Sequence, residues 1–256
     1  MSEDEPHRDF VTALARGLEV LLACGSRGRG MTLAETADLV GLSRATVRRS
    51  LLTFVELGYA ETDGRLFRLT PKVLALSSAY LGSTPLPRVA QPVLERLSAT
   101  LGESCSISVL DGAEIVYVAR AQASRILAEE LAIGSRLPAW PTAMGRVLLA
   151  CQPDEAITKL LGLAPPVRHT ERTITDPSAL RGLLAQVRAD GYCIVDQELE
   201  GGLRSIATPV RSASGAVVAA LNVGTHAARL SINDLRRQIR PALQEASASM
   251  QPLLVL

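Results

Sequence analysis

Apolar residues recur at three- and four-residue spacing from the start of the chain: Phe10, Leu14, Leu18, Leu21 and Leu22 predict a helix over residues 9–24. The glycines of Gly25-Ser-Arg-Gly-Arg-Gly30 end it. Thr32, with Glu35 three residues later, forms a capping-box signature for a second helix from Leu33 to Val40. Gly41 can take a positive φ and turn the chain tightly. Ser43 then caps a third helix from about Arg44, its hydroxyl accepting an otherwise unpaired first-turn N–H. On that helix Val47, Leu51, Phe54 and Val55 share one face, while Ala45, Thr46, Arg48 and Arg49 fall on the other face or its flanks. Ala37 sits where the second and third helices would cross closely. Beyond Gly58, the stretch Tyr59 to Leu69 alternates around Asp63-Gly64, a strong hairpin signal. Three helices followed by a hairpin predict a winged helix-turn-helix, with the helix after Ser43 as the reading element.

A further helix is expected from Pro71 to Gly82, and Ser83-Thr-Pro85-Leu-Pro87 then breaks the chain. The apolar residues of that helix (Val73, Leu74, Leu76, Tyr80, Leu81) go nearly all the way round, more than a solvated connector needs, so a partner subunit is expected to cover part of it. Another helix starts at Leu86 or Arg88 and stops at Gly102. Downstream, Ser104–Leu110 and Glu114–Ala121 alternate around Asp111-Gly112, and Arg204–Val210 and Ala216–Val223 alternate around Ser214-Gly215. Helices are expected at Thr142–Cys151, Asp154–Leu161, Pro177–Asp190 and Ser231–Met250. The fold class is therefore α+β: a winged helix-turn-helix region over 1–71, a linker helix and boundary over 72–87, and a helix-flanked antiparallel sheet over 88–256.

Composition narrows the chemistry. The 256 residues suffice for two domains, and 27 Lys+Arg against 26 Asp+Glu leave no global field to attract nucleic acid. The basic charge is local: Arg44, Arg48 and Arg49 lie in a stretch free of acids, while Glu3, Asp4, Glu5 and Asp9 offset it in the count. Cys24, Cys105, Cys151 and Cys193 form no C-x-x-C pair, so neither a zinc ribbon nor a thioredoxin-like motif is expected, and no metal or cofactor is called for. No basic-then-apolar leader and no long uncharged apolar run is evident, which points to a cytoplasmic protein rather than an exported or membrane one.

Three functional readings follow. In the first, the third helix places Thr32, Ser43, Arg44, Ala45, Thr46, Arg48 and Arg49 at double-stranded DNA, with Arg65 and Arg68 of the wing reaching phosphate or the adjacent minor groove. In the second, the α+β region is an enzyme using Cys105 or Cys193, although His7, His169 and His226 lie in no nucleophile motif. In the third, the chain is a DNA-binding protein with no ligand; its large second domain speaks against this.

The winged module, the segment Gly134-Ser-Arg-Leu-Pro-Ala-Trp-Pro-Thr-Ala-Met-Gly-Arg-Val-Leu-Leu-Ala150, and Asp196-Gln-Glu-Leu-Glu-Gly-Gly-Leu-Arg-Ser-Ile-Ala-Thr-Pro209 with Ala220-Leu-Asn-Val-Gly-Thr-His226 resemble the IclR family of bacterial transcriptional regulators over essentially the whole chain. The last two stretches look closest to the branch that regulates protocatechuate, 4-hydroxybenzoate and β-ketoadipate catabolism. The resemblance implies a GAF-like effector domain, binding of a small aromatic or dicarboxylic acid, promoter binding as a homodimer or dimer of dimers, RNA polymerase as a further candidate partner, and no enzymatic activity. Carried over position by position, it implies effector contacts at Ala143, Met144, Asp196, Ser205, Asn222 and Gly224; beside these, Trp140 at the expected pocket mouth can cover an aromatic ring, Arg136 and Arg204 are candidate carboxylate clamps, and Ile126 is a further candidate. A helix start after Pro141 suits a carboxylate, and Ser205 and Asn222 can bond ligand oxygens. Plainer roles stand beside these: Trp140 as core, Asp196 as a capping acid, Arg136 and Arg204 as salt-bridge partners. Ser205 stands where many members have cysteine, and Ala143 where some have glycine.

Overall fold

The structure is a computed structural model that describes residues 9–123 and 131–255. The chain divides into two compact units between Gly82 and Ser83. In the first, α1 (Thr12–Cys24) packs with α2 (Leu33–Val40) and α3 (Arg44–Glu56) around Val20, Cys24, Ala37, Val47, Leu51 and Phe67. The predicted turn chemistry is present. Thr32 and Glu35 form a reciprocal capping box, Gly41 closes α2 at φ 67°, and the Ser43 hydroxyl accepts from the Thr46 N–H at 3.3 Å. The wing, β2 (Ala60–Thr62) and β3 (Leu66–Leu69), gains a third strand that the sequence pattern did not show: β1 (Met31–Thr32) pairs with β3, giving the order β1-β3-β2.

The apolar stripe of α1 behaves differently from expectation. Leu21 is buried, but Phe10, Leu14, Leu18 and Leu22 are exposed, Leu22 at 77%. Two rows at four-residue spacing compete on this helix, and the one ending in Val20 and Cys24 faces the core. Periodicity alone cannot say which row the chain covers itself. After a 3₁₀ turn at Pro71–Val73, α4 (Leu74–Ser83) likewise buries none of its residues, and Leu74, Leu76 and Tyr80 are exposed.

The second unit has three layers. A six-stranded antiparallel sheet runs in the order β6-β5-β4-β9-β8-β7, comprising β4 (Ser104–Asp111), β5 (Glu114–Ala121), β6 (Arg136–Pro138), β7 (Cys193–Asp196), β8 (Leu203–Arg211) and β9 (Val217–His226). The two predicted hairpins join through β4 and β9; the edge strands β6 and β7 are too short to show alternation in sequence. On one face α5 (Leu86–Leu101) and α10 (Arg240–Met250) cover Cys105, Ile107, Ile206, Leu221 and Val223; α9 (Ile232–Asp234) and a π-helical turn at Leu235–Ile239 lead into α10. On the other face lie α6 (Ala143–Ala150) and α8 (Pro177–Asp190), with α7 (Asp154–Leu163) beside them. The close approach of α6 depends on Gly145, since a Cβ there would fall 2.1 Å from the Ala139 carbonyl oxygen. Among the described residues, no helix is long and apolar enough to cross a membrane.

Candidate nucleic-acid interface and ligand cavity

Each unit carries a candidate site. In the first, α3 buries Val47 and Leu51 and leaves Arg44, Ala45, Arg48 and Arg49 exposed. Among the described residues no ion pair engages Arg44, Arg48, Arg49 or Arg65, so their guanidinium groups are available to an external anion or base edge. Thr32, Ser43 and Thr46 have prior commitments. The Thr32 hydroxyl serves the α2 cap with Glu35, and the Ser43 and Thr46 hydroxyls lie 3.0 Å apart at the α3 cap. Arg68 is drawn back along the wing, 3.2 Å from Asp63, and lies over Gly30, where a Cβ would meet its side chain at 2.6 Å.

Glu35 anchors this surface. The backbone N–H of Thr32, its hydroxyl and Arg29 hold the Glu35 carboxyl down to about 2, and Arg27 also reaches it at 3.0 Å. A depressed carboxyl stabilises the folded state above its ordinary pKa of 4.5 and loses that contribution as pH falls toward about 2. Glu35→Gln is therefore expected to flatten the acid limb of unfolding between those values, followed by circular dichroism. An unchanged acid slope would show that the capping box does not couple to protonation.

The second unit contains a cavity of about 750 Å³ between the sheet and the start of α6, a volume ordinary for a small-molecule site. Its origin lies in the strand alternation. On the α6-facing side the apolar residues Ile115, Ala207 and Ala220 give way, toward one end of the sheet, to small or polar ones. Register places Ser104, Gly224 and Ser205 in one row, and Arg120, Ser106 and Asn222 in the next. Gly224 opens space: a Cβ there would meet nothing within 4 Å. Tyr117, Leu137, Met144 and Val195 supply the apolar wall, and Pro141, Thr142 and Ala143 bring the N-terminus of α6 to the cavity, with Thr142 capping Gly145. Arg120 Nε and Nη1 and Asn222 Oδ1 are buried with no hydrogen-bond partner among the described residues. Glu103, also on the wall, has its carboxyl pushed up by burial, against the pull of Arg229 at 2.8 Å and of Thr225.

Of the ten expected effector residues, Ala143, Met144, Ser205, Asn222 and Gly224 line this cavity. Ile126 lies outside the described residues. The other four stand off the cavity wall, each for a visible reason. Arg136, on edge strand β6, is held by Glu114 and Asp111, both at 2.7 Å. Trp140 is core at 3% exposure and donates its indole N–H to the Ala164 carbonyl at 3.0 Å. Asp196 and Arg204 pair at 2.7 Å, directly opposite each other in the β7–β8 register; their neighbours Val195 and Ser205 line the cavity, so alternation turns this pair to the other face. Arg172, 2.7 Å from Asp196, completes that cluster; the hydrogen bond from Arg204 first, then Gln197 and the charge of Arg172, hold the acid below the usual carboxylate range. Sequence reasoning also passed over Arg120 and Ser106. The available signal was an arginine in the otherwise apolar run Ile115-Val-Tyr-Val-Ala119 and its successor Ala121.

The cysteines considered for redox chemistry are poor nucleophiles. Cys105 and Cys193 are 0% and 5% exposed, and burial pushes both thiols up to about 12.

Comparison with known proteins bears on both units. Residues 13–64 match the IclR helix-turn-helix domain, and residues 78–251 match the family described as bacterial transcriptional regulator IclR C-terminal. The Pca regulon regulatory protein of Pseudomonas putida is 48% identical, over 94% of this chain and 84% of its own length. A Rhodococcus sp. RHA1 protein whose crystal structure is described as that of a candidate transcriptional regulator superposes with a TM-score of 0.82 at 50% identity, covering 96% of this chain and 98% of that one. The inducer-binding domain of PobR from Acinetobacter, solved as a double mutant in complex with 3-hydroxybenzoic acid, matches with a TM-score of 0.63 at 35% identity, covering 65% of this chain and 98% of that one. With a winged unit presenting unpaired arginines, a second unit built around a cavity, and family matches that span both, the chain belongs to the IclR family of bacterial transcriptional regulators.

Proposed function

We propose that the ligand through which this regulator adjusts its promoter binding is a hydroxylated monocyclic aromatic carboxylate, bound in the cavity between the sheet and α6. The observation that carries this reading is the pair Arg120 and Asn222, whose buried Nε, Nη1 and Oδ1 atoms have no partner among the described residues. Two buried guanidinium nitrogens without a partner among the described residues call for an anion that accepts from both, and a buried carbonyl oxygen calls for a donor. Ser106 stands between them in the register, so their Cα atoms are two strand spacings apart, roughly 10 Å. An aromatic ring with a carboxylate toward Arg120 and a hydroxyl toward Asn222 satisfies both groups, its faces against Tyr117, Leu137 and Met144. The 3-hydroxybenzoate bound by the PobR domain and the Pca regulon relative support the same class.

In this reading residues 1–71 bind DNA, 72–87 connect, and 88–256 bind the effector. Arg44, Ala45, Thr46, Arg48 and Arg49 read the major groove, Arg65 and Arg68 meet the backbone, and Thr32 and Ser43 hold the two helix caps at it. The exposed rows of α1 and α4 fit a second copy of the chain, and a two-fold dimer presents two α3 helices to a palindromic operator. Such a regulator acts in the cytoplasm with RNA polymerase at its promoter. Thermal melts against hydroxybenzoates and aliphatic dicarboxylates test the ligand class, because a ligand bound only by the folded state raises the melting temperature. The expected result is a rise with 4-hydroxybenzoate or protocatechuate; a rise with dicarboxylates alone would overturn the aromatic assignment.

A further inference from the structure

Arg146 and Glu198 form a buried ion pair, 2% and 6% exposed, that is absent from the cavity wall yet joins two parts of it. Arg146 Nη1 and Nη2 donate to Glu198 Oε1 and Oε2, each at 2.6 Å, and Arg146 Nε donates to the Trp140 carbonyl at 2.8 Å. Glu198 Oε2 also accepts the Ile174 N–H at 3.0 Å, and the Glu198 carbonyl accepts the Thr173 hydroxyl at 2.6 Å. Such a pair is weak evidence for stability, since an apolar pair of the same volume packs as well without the desolvation cost. Its fork geometry does fix direction, which an apolar contact does not.

The pair lies between two cavity-forming segments. Ala143 and Met144 occupy the turn of α6 just before Arg146, and Leu199, Glu200, Gly201, Gly202 and Leu203 follow directly on Glu198. Gln197, at φ 63°, is the one described non-glycine residue with positive φ; its side-chain carbonyl accepts the Gly202 N–H at 3.1 Å, and its own N–H donates to the Leu203 carbonyl at 2.8 Å. A left-handed non-glycine residue persists only where its surroundings over-determine it. Here Gln197 closes the turn, the Ala227 N–H holds its far end at the Gly202 carbonyl at 2.7 Å, and Glu198 ties its root to α6. The structure assigns Arg146 and Glu198 as positioning residues that hold the 199–203 turn at a fixed distance from α6 and so set the width of the cavity. The effect on ligand affinity rests on the reading of the cavity as the effector site; the effect on the turn does not.

Two variants separate positioning from bulk stability. Glu198→Gln keeps the shape and removes the charge; Arg146→Met/Glu198→Leu removes both charges together and so leaves no unpaired charge, at the cost of the bonds to the Trp140 carbonyl and the Ile174 N–H. Amide exchange by mass spectrometry over residues 197–204 is expected to quicken about 10-fold or more in both variants while β4 and β9 stay protected. Titration with 4-hydroxybenzoate is expected to show affinity about 10-fold or more weaker in both variants than in the parent protein. Exchange that rises uniformly across the sheet, or an apolar double variant that restores both slow exchange at the turn and parental affinity, would overturn the assignment. If the parent protein binds neither 4-hydroxybenzoate nor protocatechuate, the effector reading fails, and the exchange at 197–204 still decides the positioning role.

Discussion

Replacing Arg120 by leucine is expected to weaken binding of 4-hydroxybenzoate and protocatechuate about 100-fold or more. Two charge-assisted hydrogen bonds, at roughly 1.5–3 kcal/mol each, account for a loss of about 3 kcal/mol or more. Leucine keeps much of the side chain's apolar volume and leaves no charge behind, so the sheet is expected to hold. It also removes buried guanidinium nitrogens, Nε and Nη1, that have no partner among the described residues, so the variant measured without ligand is expected to melt no lower than the parent. Calorimetric titration and thermal melts of the same preparations check both halves. Unchanged ligand affinity in a folded variant would place the carboxylate elsewhere in the cavity, with the N-terminus of α6 as the next anchor.

The second large effect is expected at Arg49. Arginine bound to a guanine edge in the major groove is worth about 1–3 kcal/mol of discrimination, and a dimer makes the contact twice, so Arg49→Ala is expected to lower specific affinity about 30-fold or more. Affinity for unrelated duplex is expected to fall much less, because the proposed phosphate contacts from Arg65 and Arg68 of the wing remain. The appropriate probe is the duplex that the parent protein selects from a random library, measured at fixed salt against a scrambled one. The Arg49 side chain is exposed and without an ion pair among the described residues, so the fold and 4-hydroxybenzoate affinity are expected to stay as they were. Equal losses on both duplexes would make Arg49 a phosphate contact and pass the reading role to Arg48 or Arg44.

The winged unit was legible because its signals are local. Thr32 with Glu35, Gly41, Ser43 and Asp63-Gly64 each act within a few residues, and each stands in the structure where the pattern placed it. β1 was not legible, since two residues cannot display a period and its pairing with β3 is a tertiary fact. The same holds in the second unit for β6 and β7. The cavity was half legible. Ser205, Asn222 and Gly224 interrupt apolar strands with small or polar groups, and they line it. Asp196 and Arg204 are as polar but one residue out of phase, and a strand turns such neighbours to opposite faces. Arg136 has the chemistry of a carboxylate clamp and Trp140 that of a cover for an aromatic ring, yet Asp111 and Glu114 claim the first and the Ala164 carbonyl the second, partners distant in sequence. Arg146 with Glu198 needed the same kind of information, being 52 positions apart.

The central claim is that filling the cavity changes operator affinity, and one titration tests it most directly. The affinity of the parent protein for its selected duplex is measured at fixed salt with rising 4-hydroxybenzoate or protocatechuate. Coupling of ordinary size predicts a change of about 5-fold or more, in either direction, saturating at the concentration that saturates the thermal shift. An acid that raises the melting temperature yet leaves operator affinity unchanged at saturation would contradict it.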